Sequence, residues 1–180
     1  MAEIKEADGP LAEFAALRAE ILQLNQQQSQ ILGLQLTIAG AVFGIAISHA
    51  GLVGILMIVP IVSYSLCMRY LATGTAIFEI ARYIRDDLTN RVPGGLRWES
   101  WLSTNSRESI VYSQVIPLLV AFPGVSILAL TWVLTYLVGQ TAPKMIVLAV
   151  LWIASGVAAV QQVVLILRLR RDRWPRRTRG

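Results

Sequence analysis

Charged residues are scarce in this chain and absent from long parts of it. Only 15% of its 180 residues are charged, whereas soluble domains carry about a quarter. Asp, Glu, Lys and Arg are missing altogether from residues 21–68, 109–143 and 145–167. These absences exclude an ordinary soluble domain and indicate an integral membrane protein.

Side chains that perform chemistry are also rare. One Cys and one His exclude a disulfide framework or a metal centre built by a single chain, so we predict no metal and no cofactor. Proton relays, ion-coupled carriers and intramembrane hydrolases use buried Asp, Glu, His or Lys. In the charge-free stretches the one such residue, His49, lies at the end of an apolar run. We therefore expect that the protein is not an enzyme.

Four apolar stretches are long enough to cross a bilayer, which takes roughly 20 helical residues. The predicted fold class is all-α, with four transmembrane helices arranged as two antiparallel hairpins. The predicted spans are residues 31–49, 52–71, 111–138 and 145–167. The two connections within the hairpins are too short for anything but tight turns.

The distribution of basic residues predicts the orientation of these spans. Lys144 is the one basic residue on one side, and the other 15 of the 16 Lys and Arg residues lie on the opposite side. Such a bias marks the cytoplasmic side, so both termini and the central connection are predicted to be cytoplasmic in an inner (plasma) membrane. Five acidic residues among the first twenty argue against a cleaved signal peptide.

The N-terminal part of the chain predicts a long helix. After a disordered stretch at residues 1–9, a helix is expected to start at Pro10 and to run into the first span, and helical spacing after the second span extends to Leu88. Residues 10–88 are thus predicted to form one long hairpin. Its first helix carries a heptad seam, with spacings of three and four, made of Phe14, Leu17, Ile21, Leu24, Gln28 and Ile31. Such a seam can pack on another helix of the same chain, which we favour, and self-association is the other option.

Neutral polar and small residues interrupt the apolar spans. Amides in hydrocarbon bond across helices or line water, and both roles are open for Gln35, Gln114, Gln161 and Gln162. We favour interhelical bonding for these amides, with a pore or cavity lining as the alternative. Gly40 and Gly44 permit close approach of a second helix.

The two remaining cytoplasmic parts suit the membrane surface. In the loop at residues 89–110, Trp98 and Trp101 are predicted to anchor in the headgroup layer or to dock a partner. Topology fixing alone would explain the tail at residues 168–180, and binding of anionic lipid is the further prediction. The residues that would bind the lipid are Arg168, Arg170, Arg171, Arg173, Arg176, Arg177 and Arg179. Because the tail is short and lacks a folded module, no nucleic-acid partner is predicted.

Several short motifs resemble those of a known group. They are Leu17–Arg18–Ala19–Glu20–Ile21, Tyr83–Ile84–Arg85, Pro93–Gly94–Gly95, Trp98–Glu99 and Phe122–Pro123–Gly124. Together they resemble bacterial four-span membrane proteins, which are mostly uncharacterised. The layout of the first two helices is also similar to SLATT-type two-span effector domains, which implies an action on membrane integrity. Neither resemblance assigns a role to a residue.

Two functional hypotheses follow from these patterns. The leading one is a homo-oligomeric inner-membrane protein that acts as a channel, pore or membrane effector, because four spans of one chain enclose little water alone. The alternative is a non-permeating membrane adaptor, whose cytoplasmic helical hairpin docks a partner protein.

Overall fold

The computed structural model describes residues 2–92, 115–137 and 142–173, and these residues are almost entirely helical. No strand occurs within these ranges. Four helical segments in them are long and apolar enough to cross a membrane, which agrees with the all-α class and with the number of spans predicted. Trp98, Trp101 and Gln114 lie outside the described residues.

The four segments are built from α-helices joined by tighter and wider turns. The first segment is a single helix, α1, Ala2–Ser48. The second contains a 3₁₀ helix, Ala50–Met57, then α2, Ile58–Tyr83, a π-helical turn, Ile84–Leu88, and α3, Thr89–Arg91. The third contains α4, Ile116–Leu119, a π-helical turn, Val120–Gly124, and α5, Val125–Leu137, and the fourth is α6, Ala142–Arg173.

The helix boundaries differ from the predicted ones at three places. The first helix begins at Ala2, eight residues before the predicted start at Pro10, because good helix formers such as Ala, Glu and Lys precede that proline. The second segment opens in a 3₁₀ conformation, where Gly51 and Gly54 lower the α-helical propensity. It ends at Arg91, three residues beyond the predicted Leu88.

The first segment packs along the second, with early residues of α1 against the last residues of the second segment. Ile21 shares a buried cluster with Ile84 and Leu88. Further along, Ile31 belongs to the cluster that contains Cys67. Beside the turn at His49, Ala46 packs near Val53.

The third and fourth segments complete the bundle around the second. Leu56 and Val133 belong to one buried cluster, while Phe122 and Ile166 belong to the cluster around Cys67. Trp152 Nε1 donates a hydrogen bond to the carbonyl oxygen of Leu130, at 3.1 Å, between the fourth and third segments. The second segment therefore contacts all three others, and its buried face carries the polar residues described next.

Candidate functional site

A hydrogen-bond network crosses the centre of the bundle. Gln35 is 1% exposed, and its Nε2 donates to Ser63 Oγ and to the carbonyl oxygen of Ala121, both at 3.1 Å. Ser63 Oγ in turn donates to the carbonyl oxygen of Phe122 at 3.0 Å. One side chain of α1 is thus joined to α2 and to the third segment.

The π-helical turn at Pro123 lies beside this network. Proline has no backbone N–H and interrupts the ordinary helical bonding pattern, and a π turn, which bonds to the carbonyl five residues earlier, is a common way to pass such a point. Gly124 fits because an added Cβ would lie 3.1 Å from the carbonyl oxygen of Leu119. The carbonyl of Phe122 accepts two hydroxyl donors, the second being Ser126 Oγ at 2.9 Å.

The network holds helices together and offers no reactive group. Its members are neutral amides, hydroxyls and carbonyls, which neither titrate near neutral pH nor act as nucleophiles without a base. Within the described ranges, no group of three or more His, Cys, Asp or Glu side chains could hold a metal ion. The geometry of Gln35 therefore matches the interhelical bonding predicted for the amide cluster.

The other predicted amides of the cluster lie in two different environments. Gln162 is fully buried on α6, and among the described residues neither its amide nitrogen nor its oxygen has a partner. Ser155 lies two turns earlier on the same buried face, and its hydroxyl also has no hydrogen-bond partner among the described residues. Gln161, the adjacent residue, is exposed on the outside of α6. The structure thus brings Gln35 and Gln162 into the bundle and leaves Gln161 on its surface.

The predicted heptad seam faces α2 of the same chain. Its apolar residues Phe14 and Leu17 pack around the cluster of Ile21, Ile84 and Leu88, as the favoured packing within the chain expects. The polar seam residue is Gln28, and its Nε2 donates a hydrogen bond to the carbonyl oxygen of Tyr70 at 3.1 Å. Leu24 is half-buried, and Ile31 is buried. Self-association through this seam stays a prediction, and it requires a surface that α2 already covers.

A polar cluster that was not predicted from the sequence joins the start of α1 to the end of the second segment. Tyr83 OH donates to Glu13 Oε1 at 2.7 Å, and Arg91 forms ion pairs with Glu13 at 3.4 Å and with Asp87 at 3.5 Å. The hydrogen bond to Glu13 raises the pKa of Tyr83 above its usual value. Alignment of the apolar residues of α1 with those of the second segment would have placed Glu13 near Tyr83 and Arg91.

The end of the second segment carries charge pairs on its exposed face, one of them at the i,i+4 spacing of a helix. Asp86 lies 2.8 Å from the guanidinium of Arg85 and 3.4 Å from that of Arg82. The hydrogen bond from Arg85 lowers the pKa of Asp86 below its usual value. These groups are exposed to solvent, so they contribute to solubility more than to stability.

The remaining predicted site residues lie at the surface or outside the described side chains. Gly40 and Gly44 are exposed, and within the described part of the chain no atom of another helix lies within 4 Å of an added Cβ. Their predicted packing role therefore has no partner there. Arg168 is exposed. Arg170, Arg171 and Arg173 lie in α6 without described side chains, while Arg176, Arg177 and Arg179 lie outside the described residues. No protein-family model, curated protein or solved structure matches this chain.

Proposed function

We propose that this chain is a multi-pass protein of a bacterial inner membrane. Its four segments cross the bilayer as two antiparallel hairpins, with both termini on the cytoplasmic side. The length and apolar character of the segments support insertion, and the placement of 15 of the 16 basic residues on one side supports the orientation. The arginines of the tail bind anionic headgroups in this arrangement.

The chain acts there as a non-permeating adaptor. Residues 9–30 of α1 and 72–91 of the second segment form a projection, named here the α1–α2 extension, which reaches about 30 Å beyond the spans at 1.5 Å per residue. The supporting observation is that the extension is closed by its own contacts: Ile21 is buried against Ile84 and Leu88. A membrane anchor needs no such structure, whereas a docking element needs a rigid one.

The outer face of the extension provides the contact surface. Leu22 is 70% exposed there, beside the exposed amide of Gln26. Gln26 lies one turn after Leu22 on the same face of the helix, and we assign this face to the partner. The partner is accordingly a cytoplasmic protein.

Photocrosslinking in cells tests the adaptor proposal. With a photoreactive amino acid at Gln26, we expect one discrete adduct, which disappears when Leu22 is replaced by Glu. A matched control carries Glu at Ala19, another exposed position of α1, and should retain the adduct. The absence of any adduct to another protein, or an adduct that survives Leu22→Glu, would contradict the docking role.

A homo-oligomeric channel, pore or membrane effector is the second candidate. It is supported by Ser155 and Gln162, which have no hydrogen-bond partner among the described residues. Water in a path along these residues would supply those hydrogen bonds. Ion flux through vesicles that contain the purified protein tests it. If the protein conducts, Gln162→Leu should reduce the flux. Vesicles that hold inserted protein and remain tight would contradict this candidate.

A further inference from the structure

Gln161 places an amide on the outer surface of an apolar helix. Its side chain is exposed on α6, within the stretch Ala149–Arg168 that is apolar enough to cross a membrane. Gln35, by contrast, is buried and bonded inside the bundle. The described part of the chain therefore does not enclose the Gln161 amide.

The position of Gln161 along α6 puts this amide in hydrocarbon. It lies seven residues before Arg168, the first charged residue beyond it, which corresponds to roughly 10 Å along the helix axis. If the fourth segment crosses the bilayer as proposed above, Gln161 lies below the headgroup layer, in the hydrocarbon core. The inference rests on that insertion.

The geometry of the helix directs the Gln161 side chain away from the nearer headgroups. In an α-helix each Cα–Cβ bond tilts toward the N-terminus of the helix, which for α6 is the end near Ala142. The nearer membrane surface is at the opposite end, beside Arg168. The side chain of Gln161 therefore leans toward the middle of the bilayer, where water does not compete for its hydrogen bonds.

An exposed amide at this depth is stabilised by a partner that comes from outside the chain. We propose that Gln161 forms the contact between two copies of this protein, with the amide of each copy bonded to that of the other. An amide carries both donors and an acceptor, so it is complementary to itself. Copies inserted with the same orientation hold Gln161 at the same depth, and a two-fold axis along the membrane normal brings the two residues together.

The surface around Gln161 suits close packing of two α6 helices. Val157, Val160 and Val164 are exposed, with 53%, 63% and 41% of their surface accessible. They follow the spacing of three and four that lines one side of a helix, and no charge interrupts them. The seam on α1 is not available for this contact, because the second segment of the same chain covers it.

Dimerisation of the full-length protein in lipid vesicles tests the contact. The dissociation constant, as a protein-to-lipid ratio, is measured by energy transfer between labelled copies over a range of dilutions. For Gln161→Leu we expect a weakening of about tenfold or more, which corresponds to 1.4 kcal/mol. Gln161→Asn, which keeps an amide, should restore most of the affinity.

Thr131→Val is the matched control for loss of an exposed polar group. Thr131 is exposed on α5, and its hydroxyl donates to the carbonyl oxygen of Ile127 within its own helix. It needs no partner from another copy, so its replacement should leave the dissociation constant unchanged. Circular dichroism checks that all variants retain the helical content of the wild type.

Three results would overturn the proposed contact. They are a Gln161→Leu variant that dimerises like the wild type, a wild type that stays monomeric at every dilution, and a purified monomer that crosslinks in native membranes to another protein only. Extraction with alkaline carbonate separates these results from a failure of the insertion itself. A protein that carbonate removes from membranes refutes insertion, whereas one that stays embedded and monomeric refutes the contact alone.

Discussion

Replacing Gln35 by Leu removes the side chain that joins three segments of the bundle. Gln35 Nε2 donates two hydrogen bonds, to Ser63 Oγ and to the carbonyl oxygen of Ala121. Interhelical bonds in apolar surroundings contribute about 0.6 to 2 kcal/mol each. Leu has a similar volume and leaves little cavity. We therefore expect Gln35→Leu to lower the free energy of unfolding by about 1–3 kcal/mol.

Reversible unfolding by SDS in mixed micelles measures this loss. Thr37→Val is the matched control on the same helix, because the Thr37 hydroxyl is exposed and bonds to the carbonyl of Gly33 in its own helix. The double variant with Ser63→Ala should destabilise by less than the sum of the two single variants, since they share one hydrogen bond. A Gln35→Leu protein as stable as the wild type, or strictly additive losses, would refute the network as a source of stability.

Three further outcomes follow from the described contacts. Ile21→Glu should open the α1–α2 extension and speed its proteolysis at least about tenfold, because it buries an unpaired charge; Leu22→Glu, at a residue 70% exposed, should not. The hydrogen bond to Glu13 raises the pKa of Tyr83 above its ordinary value of 10.0. The stabilisation from this bond is therefore complete below pH 10 and is lost as the pH rises through the raised pKa. Thermal melts of wild type and Tyr83→Phe should differ at pH 8 and converge well above pH 10. Gln162→Leu should raise the free energy of unfolding by about 1–3 kcal/mol, because it removes a buried amide that has no hydrogen-bond partner among the described residues. An unfolding midpoint no higher than that of the wild type would contradict this.

Helical spacing on α1 identified the residues that are buried, but not what buries them. The heptad pattern marked Ile21 and Ile31 correctly as inward-facing, and both are buried. The pattern depends only on the 3.6-residue period of one helix, so a seam that meets α2 and a seam that meets a second copy look the same in it. The contacts with Ile84 and Cys67 required the pairing of the two helices.

The polar residues show the same limit more sharply. Gln161 and Gln162 are adjacent and chemically identical, and a count of amides treats them alike. A helix turns by about 100° per residue, so one lies outside the bundle and the other inside it. The bond from Gln35 to Ala121 joins residues 86 positions apart, and only the packing of the third segment places that carbonyl within reach.

The sequence by itself determined the all-helical class and the four apolar segments, since both depend on composition and on runs of residues along one helix. Transfer of charged groups into an apolar environment is costly, so charge-free stretches of this length indicate helices that cross a membrane. The tertiary structure alone decided that α2 fills the seam of α1, that a π turn at Pro123 lies beside Gln35, and that Gln161 is left outside. These features depend on rotation and register between helices, which packing of side chains from distant parts of the chain selects.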